Sequence, residues 1–208
     1  MNKRTIIAFP KGRLYGQLKE TLKQVGTTIP DATESRQYYY KDYFGEGIDL
    51  FIAKPKAIPQ LLESGLCQYG YCGKDIMLES LVMAGKKTSD VVELLDTKLN
   101  AIDIVLASKK GEDFIPKDRP IICASEFPNI ASRYFTSKGL SHYVLDTGGS
   151  TEGYPYIGAD CIVDVCETGA TIESNGLEIK EVIDKSSTRL YGMKDATLDI
   201  FKILYKSK

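Results

Sequence analysis

Asp160–Thr171, DCIVDVCETGAT, decides the fold of this chain. Ile162 and Val163 read as a short buried strand with Asp164 near its carboxyl end. Thr168, Gly169, Ala170 and Thr171 then form a small-residue turn that opens a helix. A helix start carries backbone N–H groups with no acceptor inside the helix, and two threonine hydroxyls stand among them, so an anion such as phosphate is expected there. The next residues, IESNG, end at Asn175-Gly176, a stop signal in which glycine takes the left-handed cap conformation at no steric cost. Strand, small-residue turn and helix make one βα unit, and the rest of the chain can be read for more of them.

Working outward, Thr5–Phe9 reads as a buried strand, and Leu14, Leu18, Leu22 and Val25 follow at helical spacing until Gly26. Pro10-Lys11-Gly12-Arg13 is the turn between them. Gln37–Phe44 and Ile48–Ala53 flank Gly45-Glu46-Gly47, which predicts an antiparallel hairpin. A helix at Pro59–Glu63, a strand at Gln68–Cys72, the turn Gly73-Lys74-Asp75 and an apolar-striped helix at Ile76–Met83 follow. The pattern loosens between Gly85 and Asp90, and Val91–Leu95 and Ile102–Ser108 read as strands that carry the chain into a second lobe. The polar stretch 109–120, KKGEDFIPKDRP, is a surface loop. Beyond it come a strand at Ile121–Ala124, a helix at Asn129–Lys138, and strands at Tyr143–Leu145, Cys161–Val165, Leu177–Ile183 and Thr188–Gly192. A closing helix spans Asp195–Tyr205, striped by Ala196, Ile200, Ile203 and Leu204. The expectation is an α/β fold of two lobes, one of residues 1–88 plus 184–208 and the other of 89–183 with the anion loop, and ligands at the carboxyl ends of strands.

The chain has 208 residues, 43% hydrophobic and 26% charged, which is enough for a proper core and free of the bias that marks disorder. A net charge of −1 removes any global electrostatic case for nucleic acid or an anionic membrane, leaving small molecules or proteins as partners. Cys67, Cys72, Cys123, Cys161 and Cys166 are odd in number and scattered, with a single histidine to complete any metal site, so they read as reduced core thiols. The apolar run before Pro10 is too short for a signal peptide or a membrane span, which points to a cytoplasmic protein.

Three loops at strand ends concentrate glycine, hydroxyl or cationic groups: Pro10–Arg13, Gly148–Gly153 and Glu167–Thr171. Each alone is ordinarily only a turn. Together, at the same topological position, they point to a ligand with several phosphates. Asp164 and Glu167 flank the proposed pocket, where they would accept hydrogen bonds from sugar hydroxyls or hold magnesium through water; the alternative is that Asp164 caps the following helix. His142 stands before a strand with no nucleophile motif and reads as structural. Tyr38, Tyr39, Tyr40 and Tyr43 read as sheet surface rather than as base-stacking groups.

In order and spacing, FPKGRL near the start, Arg36 after an acidic residue, GKDIMLE from Gly73, VVELLD, FPNIASRYFTSKG, GGSTE, GADCIVDVCETGATIESNGL and SSTRL resemble the ATP phosphoribosyltransferases of histidine biosynthesis. The likeness is to the short form without the C-terminal regulatory domain. The resemblance implies two α/β lobes of the periplasmic-binding-protein kind (type II) with the active site in a central cleft. It also implies a reaction joining N1 of the ATP adenine to C1 of phosphoribosyl pyrophosphate, with release of pyrophosphate and use of magnesium (Mg2+). On that basis Thr168, Gly169, Ala170 and Thr171 cradle the 5-phosphate, with Asp164 and Glu167 beside the ribose and Ser150 and Glu152 among the substrate ligands. Lys11, Arg36 and Lys54 are the catalytic cations, Arg13 is a further phosphate ligand, and no side chain is a direct metal ligand. The partners implied are a regulatory subunit related to histidyl-tRNA synthetase and further copies of this chain.

Several positions depart from the family pattern. Lys54-Pro55-Lys56-Ala57-Ile58-Pro59 stands where Arg-Pro-x-Asp-Ile-Pro is usual, and lysine lacks the forked contact of arginine. Gln68 replaces an aspartate, Asp103 an arginine, and Ile122 and Glu126 basic residues. The phosphoribosyl half keeps the pattern while the remainder does not. A paralogue with another acceptor and a non-catalytic anion-binding module are the alternative readings.

Overall fold

The computed structural model describes residues 4–31, 37–83 and 90–206. These fall into two compact units, one of Met1–Met77, Lys86–Asn100 and Ser187–Lys208, the other of Leu78–Gly85 and Ala101–Ser186.

The first unit is built on a six-stranded sheet of order β2-β3-β1-β4-β11-β5, in which β2 is the short edge strand Tyr39–Tyr40. β1 (Thr5–Pro10) lies parallel to β3 (Ile48–Ala53) and β4 (Tyr69–Gly73), while β11 (Thr188–Met193) runs antiparallel to β4 and to β5 (Val91–Asp96). Parallel neighbours need crossovers, supplied here by α1 (Arg13–Gln24) and α2 (Ile58–Glu63), and α3 (Lys74–Met83) follows β4. Tyr15, Leu18 and Leu22 recur on one face of α1 and pack with Ile7, Phe9, Leu50, Tyr71 and Leu190. α1 stops where the sequence says: Gly26 takes a left-handed φ of 84°, Thr27 N–H donates to Leu22 O, and Gly26 N–H donates to Lys23 O. That pair of bonds satisfies two carbonyls the helix end would leave open.

The second unit carries a five-stranded sheet of order β10-β6-β9-β7-β8. β6 (Ile102–Lys109) is antiparallel to both β10 (Leu177–Ser186) and β9 (Cys161–Cys166), and β7 (Ile121–Ser125) is parallel to β9 and to β8 (His142–Asp146). Side chains alternate across the sheet. Ile104, Leu106, Cys161 and Val163 meet Ile130, Ala131 and Phe135 of α4 (Pro128–Ser137) on one face. Val105, Ala107 and Ile162 meet Ile172 of α5 (Ala170–Ser174) and Leu177 on the other. Both faces of the central strands are therefore buried, as their near-continuous apolar runs require.

Three expectations are corrected. The lobe boundary after residue 88 assigns β5 to the second lobe, but β5 hydrogen-bonds along β11 in the first sheet and the second unit resumes only at Ala101. The hairpin strand before Gly45 shrinks to β2 (Tyr39–Tyr40), because Asp42 turns left-handed at φ 53° and is held by polar bonds, its N–H on Asp49 Oδ1 and its own Oδ1 on Gly47 N–H. The closing helix shortens to α6 (Ile200–Leu204): the Leu198 carbonyl accepts the Tyr69 hydroxyl, and Asp199 caps the helix through Lys202 N–H.

The five cysteines are free thiols, four of them buried, and burial raises the Cys67 thiol to about 11, as fits inert core groups. His142 is structural: its Nδ1 bonds to Leu140 O, its Nε2 to Ser132 Oγ, and its ring lies 5.4 Å from that of Phe135. Among the described residues no helix is long and apolar enough to cross a membrane.

Candidate functional site

The loop read first from the sequence sits at the carboxyl end of β9. Cys161, Ile162 and Val163 are fully buried, and Ser125 Oγ donates to Val163 O at 2.6 Å, which ties the residue before Asp164 to β7. The chain then leaves the sheet through Glu167 and Thr168. Gly169 takes φ 82° as the residue before α5, a conformation that costs glycine nothing. Glu173 N–H is bonded to Gly169 O, so the N–H groups preceding it belong to the first turn, where no intrahelical acceptor exists. Ala170 N–H reaches Thr168 Oγ at 3.4 Å, leaving the hydroxyl proton of Thr168 to donate outward. A cavity of about 180 Å³ opens here, lined by Glu152, Asp164, Glu167, Thr168, Gly169 and Thr171.

Asp164 does not cap α5. One carboxylate oxygen accepts the Thr151 hydroxyl and the other accepts Val165 N–H at 2.7 Å. Burial raises its pKa above the ordinary carboxylate value, the Thr151 hydroxyl and Val165 N–H oppose that rise, and the charges of Glu126 and Glu152 add to it. Thr151 is itself fully buried and opens the 3₁₀ turn Thr151–Ile157. It is delivered there by three consecutive residues with positive φ: Gly148 at 65°, Gly149 at 127° and Ser150 at 54°.

The loops read separately as Gly148–Gly153 and Glu167–Thr171 thus meet at one pocket, with Ser150 beside it rather than in its lining. Two contributors were not singled out from the sequence as site residues. Thr151 stands between two residues that were, Ser150 and Glu152, and no pattern distinguishes its hydroxyl from that of Ser150. Glu126 follows β7, and a Cβ added at Gly149 would lie 3.7 Å from its Oε2, so an acidic side chain stands close to the turn that carries Thr151.

The cations lie in the first unit. The β1–β3 register pairs Pro10 with Ala53, so Lys11 and Lys54 leave the carboxyl ends of adjacent parallel strands side by side. Lys11 Nζ bonds to the Tyr38 hydroxyl at 2.9 Å, 4.9 Å above that ring's centre. Arg13 Nη2 bonds to Asn100 Oδ1 at 2.9 Å at the start of α1, which has Gly12 before it and no side-chain cap. Lys54 precedes the 3₁₀ turn Pro55–Ala57 and is exposed. Arg36 lies outside the described residues.

Two of the departing positions have local explanations. Gln68 accepts Ile6 N–H and donates to Gly65 O. Asp103 faces Lys185 at 3.5 Å across β6 and β10. At Ile122 the structure gives no reason for the side chain: its backbone N–H bonds to Asp160, which Arg119 grips with both terminal guanidinium nitrogens.

Comparison with known proteins gives this geometry a family. The family model described as ATP phosphoribosyltransferase matches residues 54–205. The chain is 35% identical over 204 residues to the ATP phosphoribosyltransferase of Geobacillus sp. (strain WCH70), covering 93% of each chain. Among solved structures it is similar to the ATP phosphoribosyl transferase (HisG:HisZ) complex from Thermotoga maritima, with a TM-score of 0.74, 31% identity, and 90% of this chain and 87% of that one covered. A mutant of ArgBP from T. maritima, only 12% identical, has a TM-score of 0.52 over 98% of this chain and 87% of that one, which shows a fold of the periplasmic-binding-protein kind. With the whole second unit inside the matched region, this chain belongs to the ATP phosphoribosyltransferase family.

Proposed function

We propose that this chain transfers the phosphoribosyl group of phosphoribosyl pyrophosphate to N1 of ATP and releases pyrophosphate, the first step of histidine biosynthesis. The observation that carries the reading is the pocket at the end of β9, where first-turn N–H groups and the hydroxyls of Thr168 and Thr171 adjoin a fixed carboxylate at Asp164. Amides and hydroxyls suit the 5-phosphate, and Asp164, Glu167 and Glu152 suit the ribose hydroxyls beside it.

The chemistry asks for positioning and charge rather than for a protein nucleophile. As pyrophosphate departs, positive charge grows on the sugar and negative charge on the leaving group. Lys11, Arg13, Arg36 and Lys54 are the cations we assign to the leaving group and the nucleotide phosphates, where fixed positive charge lowers the barrier. Lys54 acts as a point charge, without the two-pronged contact an arginine would make. Clamping phosphates on both substrates brings the adenine nitrogen in line with the anomeric carbon, and such orientation contributes on the order of 7–11 kcal/mol in well-aligned reactions.

Magnesium is the ion this family uses. Among the described residues no three His, Cys, Asp or Glu side chains are grouped to hold a metal ion. Asp164 and Glu167 would hold the ion through water, and it would supply further positive charge to the departing pyrophosphate.

A regulatory subunit of the HisZ kind is the partner we infer, because the similar Thermotoga structure is a HisG:HisZ complex. A homo-oligomer in the cytoplasm completes the proposal. The test is incubation with ATP, phosphoribosyl pyrophosphate and magnesium, with and without such a subunit, reading adduct absorbance and pyrophosphate release. Product in either condition supports the reading; its absence in both removes ATP as the acceptor.

A further inference from the structure

We propose that Thr151 is the positioning residue of the phosphoribosyl site, fixing the Asp164 carboxylate so that it faces the sugar rather than turning away from its acidic neighbours. The inference rests on the reading of the site given above and adds to it a residue that touches no substrate.

The argument begins with Asp164. Its carboxylate lies at the end of a buried strand, with Glu126 after β7 and Glu152 on the 3₁₀ turn both repelling it, and Glu167 lining the same cavity. A carboxylate so placed is free to rotate about its side-chain torsions unless both oxygens are held. One oxygen is held by the N–H of the next residue, Val165. The other accepts the hydroxyl of Thr151, which is fully buried and is not a lining residue of the cavity. Thr151 therefore acts through Asp164.

The surrounding backbone fits that role. Gly148, Gly149 and Ser150 all take positive φ, and for Ser150 that is an uncommon conformation that persists only where the structure around it fixes the chain. Those three turns bring Thr151 back over β9. A serine at this position keeps the hydroxyl; a valine keeps the shape and loses the donor, leaving one side of the half-buried carboxylate without its bond.

The test is a double-mutant cycle read as binding affinity, with the Kd of phosphoribosyl pyrophosphate and the Kd of ATP measured by calorimetry in magnesium-containing buffer on the full chain. Thr151→Val is expected to weaken phosphoribosyl pyrophosphate about tenfold, the loss of one hydrogen bond to a charged group, and to leave ATP within about twofold. Thr151→Ser should recover most of that affinity. In an Asp164→Asn background Thr151→Val should change the sugar's Kd less than about twofold, since the group it acts through is altered. An undiminished effect in that background, or a serine no better than valine, would overturn the proposal. Should Thr151→Val fold poorly, Thr151→Cys, a weak donor, is expected to fall between serine and valine; a cysteine equal to serine would count against the hydroxyl's role. Pyrophosphate release by the unsubstituted chain is measured separately, so a protein that binds the sugar without turnover would sink the assigned reaction while leaving the cycle to decide on Thr151.

Discussion

Glu79 caps a helix to which it does not belong: its Oε1 accepts both the backbone N–H of Asn129 at 2.9 Å and Asn129 Nδ2 at 2.7 Å, and its Oε2 accepts Ile130 N–H at 3.0 Å. α4 has no side-chain cap of its own, since Phe127 carries no side-chain oxygen and Pro128 follows it. The carboxylate supplies both the missing acceptor and a negative charge at the positive end of the helix. Glu79→Ala is expected to destabilise the protein by about 1–3 kcal/mol and Glu79→Gln by less, measured by urea unfolding. Equal midpoints for all three proteins would show that α4 is capped adequately without this contact.

The wholly buried Asp49 gives a pH dependence. The Arg4 guanidinium holds its carboxyl well below the usual range, helped by Asp42 N–H and the Tyr39 hydroxyl and opposed by burial. A folded value below the unfolded one means that this stability is complete above the unfolded pKa of about 4 and is lost as pH falls through it toward the folded value. Asp49→Asn should lower stability at pH 7 and flatten the fall in acid, with the remaining slope shared by other depressed carboxyls, Asp42, Asp96, Asp160, Glu178, Glu181 and Asp199. Unfolding midpoints from pH 7 to pH 3 measure it; an unchanged acid slope would show that Asp49 carries no part of it.

Gly192 is a packing requirement rather than a turn. A Cβ there would stand 2.7 Å from Leu94 Cδ1 and 3.1 Å from Tyr69 Cδ1. Tyr69 has little room to yield, because its hydroxyl is bonded to Leu198 O at 2.6 Å. Gly192→Ala should cost about 1–3 kcal/mol in chemical unfolding, the usual result of overfilling a packed core. Full stability would mean that Leu94 moves aside freely.

At the Glu167–Thr171 loop, Thr168→Val combined with Thr171→Val should weaken phosphoribosyl pyrophosphate by about 10–100-fold while ATP binding changes little, because in the proposed site both hydroxyls donate to the 5-phosphate. Affinities for both ligands give the answer. Equal losses for the two would contradict the assignment of the loop to the sugar phosphate.

Most of this architecture was legible in the sequence because local signals and tertiary packing agree. The β9 strand, the turn at Gly169 and the stop at Gly176 stand where period and glycine chemistry put them. So does α1, down to its glycine stop. What the sequence hid was decided by long-range polar bonds. The Tyr69 hydroxyl, 129 residues before Leu198, holds the stretch that an apolar stripe had suggested was helix. Asp42 and Asp49 cut short a tyrosine-rich strand that propensity favoured. β5 carries the same alternation in either sheet, so only its pairing with β11 assigns it. Within the site, the glycines and threonines announced the loop, whereas Thr151 acts through a contact 13 residues away along the chain that no spacing rule encodes.

The most direct test is a crystal structure of the chain soaked with phosphoribosyl pyrophosphate and magnesium. The account predicts the 5-phosphate within hydrogen-bonding distance of the Gly169–Thr171 amides and the Thr168 and Thr171 hydroxyls, with the ribose hydroxyls on Asp164. A phosphate bound elsewhere, with this pocket empty or filled by side chains, would contradict it.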